Sequence, residues 1–270
     1  MIRRFLRRSV LTPVFTLSCA LLATPSFAQT KPIRVILVGD STMATRSGYG
    51  DALCQHFVPE VSCVNLARGG RSSASFRTEK RWDEVQRLLA DNSAYSASYV
   101  LVQFGHNDQP GKPGRSTNFV TEFPANMARY ASEVREAGGI PVLVTPLTRR
   151  SFNGPYLKDD LAPWSAVTRR VAAEQKAALI DLNAISVSAV QKMGSAEADT
   201  LAQEPPPLQP ALASAPAAAA GVAGTEPQGA PKSAFDRTHV GPKGAALFSG
   251  MVAAELVRLF PSTKPWFKAQ

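Results

Sequence analysis

A serine, a glycine, an asparagine and an aspartate–histidine pair stand where together they could perform acyl transfer. Ser41, Gly70 and Asn107 each follow an apolar run, and Asp236 precedes His239 by three residues. A serine hydroxyl attacks an acyl carbon once a base removes its proton, and the resulting oxyanion needs N–H donors already in place. His239 is the candidate base and Asp236 the carboxylate that orients it. The candidate oxyanion donors are the Ser41 and Gly70 N–H groups and the Asn107 amide.

Each of these residues also has a plainer interpretation when it is taken alone. Ser41 could be only a helix N-cap, Gly70 part of a turn, and Asn107 an Asx-turn residue. His239 could be a surface histidine on a loop that enters the last helix. The chemical interpretation is favoured only if the fold brings all of them to one place.

The other histidines do not suggest a second chemistry. We expect His56 to be a surface or packing residue, and His106 could line the pocket without a chemical role. The chain has three histidines and three cysteines, too few for a zinc site at any standard spacing. Neither a metal ion nor a cofactor is therefore expected.

The elements that must position the candidate residues alternate between strands and helices. Apolar runs predict strands over 33–38, 61–66, 99–104, 140–144 and 178–182. Helical spacing predicts helices over 49–57, 79–90, 163–177 and 242–260, and another from about 120 to the Gly138-Gly139 pair. This alternation predicts an α/β fold, a flavodoxin-like three-layer sandwich with a five-stranded parallel sheet in the order 2-1-3-4-5. In that order the loops after the first three strands meet, so Ser41, Gly70 and Asn107 should surround one crevice, with Ser41 at a helix start.

The first 28 residues have the pattern of a secretory signal peptide. Four arginines lie within residues 3–8, an apolar stretch covers 10–23, and Ser-Phe-Ala at 26–28 is a plausible cleavage site. A membrane anchor is the alternative, but the run is short and Pro13 interrupts it. A lipoprotein signal at Cys19 is disfavoured by Thr16, where such a signal usually has leucine. We expect a secreted or periplasmic monomer with no membrane attachment after cleavage.

Charge and cysteine content agree with an exported globular protein. The leader contains four arginines and no acidic residue, so its removal lowers the formal net charge from +9 to +5. Without a basic run or an aromatic-basic pattern, nucleic acid is not an expected partner. Cys54 and Cys63 are then the two cysteines left, and such a pair in an oxidising compartment favours a disulfide over two free thiols.

One segment, at about 194–234, interrupts the alternating pattern. It is rich in proline and alanine and has no apolar period, a composition that cannot bury enough surface to offset ordering. We predict a disordered insertion within a single domain over 29–270, not a linker to a second domain. Deleting 196–233 should then cost little stability.

Four short blocks resemble the signature blocks of the SGNH (GDSL-type) hydrolases: GDSTM at 39–43, NLARGGRSS at 65–73, FGHND at 104–108 and DRTH at 236–239. The Gly-Arg-Ser after the second strand also resembles the rhamnogalacturonan acetylesterase branch. The resemblance implies the SGNH fold, Ser41 as nucleophile, and Asp236 and His239 as the other triad members. It also implies Gly70 and Asn107 as oxyanion donors and an acetylated polysaccharide or oligosaccharide as substrate.

Arginines near the same edge of the sheet indicate a charged substrate. Arg71 and Arg77 follow the second strand, and Arg149 and Arg150 follow the fourth. Guanidinium groups suit carboxylates, so Arg71, Arg149 and Arg150 are candidates for binding uronate groups. A solvated rim of ordinary surface arginines is the alternative.

The expected function is that of a serine esterase removing O-acetyl groups from a plant cell-wall polysaccharide, most readily acetylated rhamnogalacturonan in pectin. The alternatives within the same fold are an acetylesterase for another polysaccharide such as xylan, and a lipid esterase or thioesterase. A lipid substrate would require an apolar groove, and the arginines near the site disfavour such a groove. A silent carbohydrate-binding module would not require the complete catalytic set.

Overall fold

A parallel sheet with helices on both faces forms the frame of the molecule. The computed structural model describes Met1, residues 31–205 and residues 236–268. The chain divides into residues 1–30 and 31–270, and the second unit contains all the strands and helices of the described chain. The predicted signal peptide, and residues 206–234 of the predicted insertion, lie outside the described residues.

The strands are β1 (Ile33–Gly39), β2 (Val61–Asn65), β3 (Ala97–Gln103), β4 (Ile140–Val144), β5 (Phe152–Asn153), β6 (Tyr156–Leu157) and β7 (Ala178–Ile180). Five of them form a parallel sheet in the order β2-β1-β3-β4-β7, and β5 and β6 form a small antiparallel hairpin. The predicted order, with the fifth sheet strand at the edge beside the fourth, is confirmed.

The helices are α1 (Gly50–His56), α2 (Ser75–Thr78), α3 (Arg81–Ala90), α4 (Glu122–Glu136), α5 (Ala162–Glu174), α6 (Leu182–Asp199) and α7 (Pro242–Leu259). Among the described helices, none is long and apolar enough to cross a membrane.

Strand β1 shows why the helices lie in two layers. Its side chains alternate between the faces of the sheet, as in any strand. Val35 and Leu37 belong to a core cluster with residues of α1, α6 and α7. Ile36 and Val38 belong to a second cluster with residues of α2 to α5. Both faces of the strand are therefore buried, which explains its continuous apolar run.

Helix α6 corrects two sequence predictions. The predicted fifth strand ends two residues early, because Leu182 already begins α6 and Asp181 caps the helix through Ala184 N–H at 3.4 Å. The same helix continues through a kink at Gly194, where φ is +72°, into the predicted insertion. Its small residues give little helical apolar period, which is why the sequence did not show it.

The start of the predicted insertion is a folded part of the domain. Ala198, Leu201 and Ala202 are buried, and the Gly241 N–H donates to the Leu201 carbonyl at 3.0 Å. Asp199 also forms a two-bond ion pair with Arg237 at 2.8 and 2.9 Å. The boundary at 194 was therefore wrong, because apolar burial against α7 orders residues up to about 202.

Cys54 of α1 and Cys63 of β2 form a disulfide, with their Cα atoms 5.4 Å apart. The predicted bridge is confirmed. It closes a short loop and fixes α1 against the edge strand of the sheet. His56 lies nearby, half-buried, with Nε2 3.0 Å from the Ser249 hydroxyl of α7, so it is a packing residue as expected.

Two deletions, each closed by a short Gly/Ser bridge, should separate the folded segment from the proline- and alanine-rich one. Removing 206–233 should change the free energy of unfolding by less than about 1 kcal/mol, because loop-closure entropy depends weakly on length. Removing 196–233 should cost about 3 kcal/mol or more, because buried apolar side chains and the Asp199 ion pair go with it. Urea unfolding of both variants measures the difference, and equal stability would contradict it.

Candidate active site

Ser41 lies in a tight turn directly after β1. The Ala44 N–H donates to the Asp40 carbonyl at 3.0 Å, and the chain then folds back so that the Tyr49 N–H reaches the Thr42 carbonyl at 3.0 Å. Helix α1 begins only at Gly50. The prediction that Ser41 stands at a helix start is therefore wrong. Ser41 lies in an isolated turn, where it is 8% exposed.

Gly39 makes this turn possible through a close approach. A Cβ at this position would lie 2.9 Å from the Gln103 carbonyl oxygen of β3 and 3.2 Å from the Met43 sulfur. A side chain would thus push β1 away from β3 at the point where the nucleophile turn begins.

The Asp40 carboxylate is completely buried behind the turn and holds it in shape. Oδ1 accepts from the Thr42 N–H at 2.9 Å and from the Thr42 hydroxyl at 2.8 Å. Oδ2 lies 3.3 Å from Nδ1 of His106. Burial raises the pKa of Asp40, but the neighbouring His106 and the Thr42 hydrogen bonds outweigh burial and lower it. Burial also lowers the pKa of His106, against the attraction of Asp40.

His106 lies in the same buried contact and faces Asp40. Its side chain is only 3% exposed, and it connects the loop after β3 to the loop after β1 through Asp40. A polar chain extends this connection into the core. The Tyr49 hydroxyl donates to Gln103 Oε1 at 2.7 Å, and Gln103 Nε2 donates to the Thr42 hydroxyl at 2.7 Å. No sequence motif indicates this chain of hydrogen bonds, because its members are far apart in sequence.

The predicted oxyanion donors lie on the loops after β2 and β3. Gly70 has φ at +78°, a conformation that favours glycine. The Asn107 side chain donates one amide hydrogen to the Arg71 carbonyl at 3.0 Å. An amide nitrogen has two hydrogens, so a second is left for a substrate oxygen. This bond places Asn107 directly against the loop that carries Gly70.

Asp108 fixes the loop that carries Gly70. Its carboxylate accepts from the Ser73 N–H at 3.1 Å, from the Ser73 hydroxyl at 2.5 Å and from the Thr117 hydroxyl at 3.0 Å. Burial raises the pKa of Asp108 to about 6, although these hydrogen bonds oppose the rise. The Tyr130 hydroxyl of α4 donates to the Ser73 carbonyl at 2.8 Å. The loop is thus held from both sides.

Asp236 and His239 form the hydrogen-bonded pair that the sequence predicts. His239 Nδ1 lies 2.6 Å from Asp236 Oδ2, while Oδ1 accepts the Thr238 N–H at 2.8 Å and the His239 N–H at 3.2 Å. Burial raises the pKa of Asp236, but His239 and the two backbone donors outweigh burial and lower it to about 2. Nε2 of His239 makes no hydrogen bond within the described part of the chain, so it is available to a hydroxyl.

The side chain of Arg150 holds this loop and is fully buried. Nη2 donates to the Asp236 carbonyl at 2.9 Å and to the His239 carbonyl at 2.7 Å. Its backbone N–H donates to the Arg237 carbonyl at 2.8 Å. Burial lowers its pKa to about 10, against the charges of Asp236 and Asp199, so it stays protonated at neutral pH.

Backbone and side-chain contacts bring the four loops together at the carboxyl edge of the sheet. The Arg68 N–H donates to the Gly39 carbonyl at 2.9 Å, which joins the loop after β2 to the one after β1. The Val240 N–H donates to the Ser47 carbonyl at 3.0 Å, and the Ser47 hydroxyl donates to the Ser41 carbonyl at 2.8 Å. The loop carrying His239 therefore lies against the turn carrying Ser41.

The arginines proposed for substrate carboxylates are occupied by the protein itself. The prediction for Arg150 is wrong, because its guanidinium is buried against backbone carbonyls. Arg71 pairs with Glu79 at 2.8 Å. Arg149 pairs with Asp160 and donates to Gln109 Oε1 at 2.8 Å. These internal partners remove the ground for placing a uronate on Arg71 or Arg149.

No group of three or more His, Cys, Asp or Glu side chains among residues 31–205 and 236–268 is arranged to hold a metal ion. A serine in a fixed turn, a histidine oriented by a carboxylate, and N–H donors on adjoining loops are the groups that acyl transfer requires.

Two curated relatives, both from Bacillus subtilis (strain 168), are similar in sequence. Rhamnogalacturonan acetylesterase RhgT is 34% identical over 180 residues, which cover 63% of this chain and 74% of that protein. The probable rhamnogalacturonan acetylesterase YesY is 31% identical over 155 residues, which cover 55% of this chain and 69% of that protein.

Solved structures share the fold at low sequence identity. Protein YXIM of Bacillus subtilis aligns with a TM-score of 0.64 at 20% identity, covering 88% of this chain and 59% of that chain. Axe2, an acetylxylan esterase from Geobacillus stearothermophilus, aligns with a TM-score of 0.55 at 16% identity, covering 90% and 100%. The family model described as GDSL-like Lipase/Acylhydrolase matches residues 37–247, from β1 into α7. The match spans every loop of the site, and the chain belongs to the GDSL-like lipase/acylhydrolase family.

Proposed function

We propose that this carboxylic ester hydrolase removes O-acetyl groups from a plant cell-wall polysaccharide, with acetylated rhamnogalacturonan as the preferred polymer. The observation that carries the proposal is the Asp236–His239 pair on a loop bonded to the Ser41 turn. The similarity to RhgT and YesY supports the choice of polymer. Because the fold is shared with Axe2, an acetylxylan esterase, acetylated xylan is the alternative substrate to compare with rhamnogalacturonan.

The reaction follows from the roles of these groups. His239 Nε2 accepts the Ser41 hydroxyl proton as Oγ attacks the acetyl carbonyl carbon. The carbonyl oxygen becomes an oxyanion, which the Ser41 and Gly70 N–H groups and the Asn107 amide stabilise. Collapse breaks the ester bond, and His239 gives the proton to the departing sugar oxygen. Water, deprotonated by His239, then attacks the acetyl-serine and releases acetate.

Asp236 orients and stabilises the histidine without itself taking the proton. Its lowered pKa keeps the carboxylate charged across the pH range in which a histidine titrates. The negative charge then favours the imidazolium that forms when Ser41 is deprotonated.

We further propose that the protein is exported. The basic and apolar pattern of residues 1–28 supports this. The Cys54–Cys63 disulfide agrees with an oxidising compartment. The N-terminal sequence of the protein recovered from the extracellular or periplasmic fraction of expressing cells tests the proposal, and a start at Gln29 is expected.

Acetate release from a panel of acetylated rhamnogalacturonan, homogalacturonan, xylan and glucomannan tests the proposed function. Ser41→Ala should reduce kcat by at least about a thousandfold, because nucleophile and base act as a unit. His239→Ala should be similarly severe, and Asp236→Asn milder. Turnover near the wild-type level in purified, folded Ser41→Ala would rule out the mechanism. Higher kcat/KM on xylan than on rhamnogalacturonan would rule out the polymer.

The lowered pKa of Asp236 should also appear in stability. Its folded-state pKa of about 2 lies below the ordinary 3.8, so the carboxylate stabilises the fold above pH 4 and loses this effect as the pH falls towards 2. We expect the free energy of unfolding of wild type to exceed that of Asp236→Asn by about 1 to 2 kcal/mol at pH 6, with allowance for solvent screening. Urea unfolding at pH 6 and pH 3 should show the gap shrinking, and a constant gap would contradict it.

Arg150 should matter for activity without touching substrate. Arg150→Lys leaves one ammonium in place of a fork that reaches two carbonyls, so we expect kcat for p-nitrophenyl acetate to fall about ten- to hundredfold at little-changed KM. Arg169→Lys is the matched control, because its guanidinium forms a two-bond pair with Asp181 before α6, on none of the loops that carry the predicted catalytic residues. A rise in KM alone, or equal losses in both folded variants, would contradict the positioning role.

A further inference from the structure

The arginines near the carboxyl edge of the sheet differ in whether the protein supplies a partner for the guanidinium group. Arg71, Arg77 and Arg149 each pair with a carboxylate of the protein. The guanidinium groups of Arg46 and Arg68 are different, because no side chain or carbonyl among the described residues pairs with either. Both residues are exposed.

Arg46 and Arg68 line the same cleft. The cleft has a volume of about 360 Å³ and is lined by residues 44–47, Asn65 and residues 67–69. The remaining polar side chains of the wall have partners within the protein. Asn65 Nδ2 donates to the Met43 carbonyl at 3.1 Å, and the Ser47 hydroxyl donates to the Ser41 carbonyl.

The cleft adjoins the segments that carry the predicted catalytic residues. The Ser47 hydroxyl donates to the Ser41 carbonyl, and the Ser47 carbonyl accepts from the N–H of Val240, the residue after His239. Gly69, which also lines the cleft, directly precedes Gly70. A polymer whose acetyl ester lies at Ser41 can therefore place another sugar of the same chain in the cleft.

The local charge favours an anion in the cleft, because two arginines line it and one carboxylate, that of Asp51, lies nearby. The Asp51 carboxylate accepts from Thr45 Oγ1 at 3.3 Å and from Asn65 Nδ2 at 2.7 Å, and it is not part of the cleft wall. Arg46 has φ at +69°, a conformation that glycine would adopt more readily. The position thus holds an exposed arginine where the backbone alone would favour glycine.

We propose that Arg46 and Arg68 form a carboxylate-binding subsite that receives a uronate carboxylate of the substrate chain. Two guanidinium groups with no internal partner supply forked donors that match a carboxylate. The subsite rests on the proposed acetylesterase function and deepens it: it relocates charge recognition from the paired arginines to the unpaired ones. It would distinguish pectic chains from neutral chains such as xylan.

A cycle of protein and substrate changes tests the subsite. The substrates are an acetylated rhamnogalacturonan oligosaccharide with free carboxylates and the same oligosaccharide methyl-esterified, and acetate alone is measured. The variants are Arg46→Gln/Arg68→Gln and the control Arg170→Gln/Arg258→Gln. The control removes the same charge from exposed pairs with Glu174 and Glu255.

Wild type and the control should prefer the free acid by about tenfold in kcat/KM, the factor produced by 1.4 kcal/mol. The Arg46→Gln/Arg68→Gln variant should show a ratio near one. Each ratio is internal to one protein, so partial loss of folded enzyme does not imitate the effect. A variant that keeps the wild-type preference, or a wild type with none, overturns the subsite while the esterase stands.

A binding measurement keeps the subsite separate from the proposed function. Unacetylated oligogalacturonate should inhibit p-nitrophenyl acetate hydrolysis competitively in wild type. The inhibition constant should be about tenfold higher in Arg46→Gln/Arg68→Gln. High salt should raise the wild-type inhibition constant towards that of the variant. If no acetylated carbohydrate is a substrate, the proposed function fails, and unchanged inhibition across the variants would then overturn the subsite independently.

Discussion

The buried charge of Asp40 is the interaction on which the turn carrying Ser41 depends. A carboxylate removed from water is costly unless charge and hydrogen bonds compensate for it. Here the compensation comes from Thr42, one turn position beyond Ser41, and from His106 on the loop after β3. Satisfying the charge therefore requires one geometry of the turn and one placement of the neighbouring loop. Because Thr42 also accepts from Gln103, the same geometry is tied to the centre of the sheet.

The other loops are fixed by the same kind of device, a buried polar side chain that bonds backbone on another element. Asp108 holds Ser73, which sets the loop carrying Gly70. Arg150 holds the carbonyls of Asp236 and His239. Catalytic donors are effective when they need not reorganise during reaction. The cost of burying these three polar groups is thus offset by bonds whose effect is to hold the reacting groups in place.

The sequence sufficed for the parts of the structure that local pattern controls. The five sheet strands and their order follow from apolar runs and alternation with helices, and the motif blocks located the loops. Helix α6 was missed because its small residues carry little period and Gly194 interrupts it. The Asp40–His106 contact and the Tyr49–Gln103–Thr42 chain were missed for a different reason. They join residues far apart in sequence, and no spacing rule encodes such pairs.

The arginines show most clearly what a single sequence leaves undetermined. Arg149 and Arg150 are adjacent in the chain, yet one forms a partly buried ion pair with Asp160 and the other lies in the core against the loop of Asp236 and His239. Composition and position at the sheet edge are the same for both, so neither property distinguishes their roles. What distinguishes them is whether a partner is supplied by the fold. An arginine whose charge is already compensated gains little from a substrate carboxylate, since it must first give up its own partner. Under the proposed subsite, recognition of an anionic polymer falls to arginines that the fold leaves uncompensated, and Arg46 and Arg68, which line the cleft beside the Ser41 turn, meet that condition within the described residues.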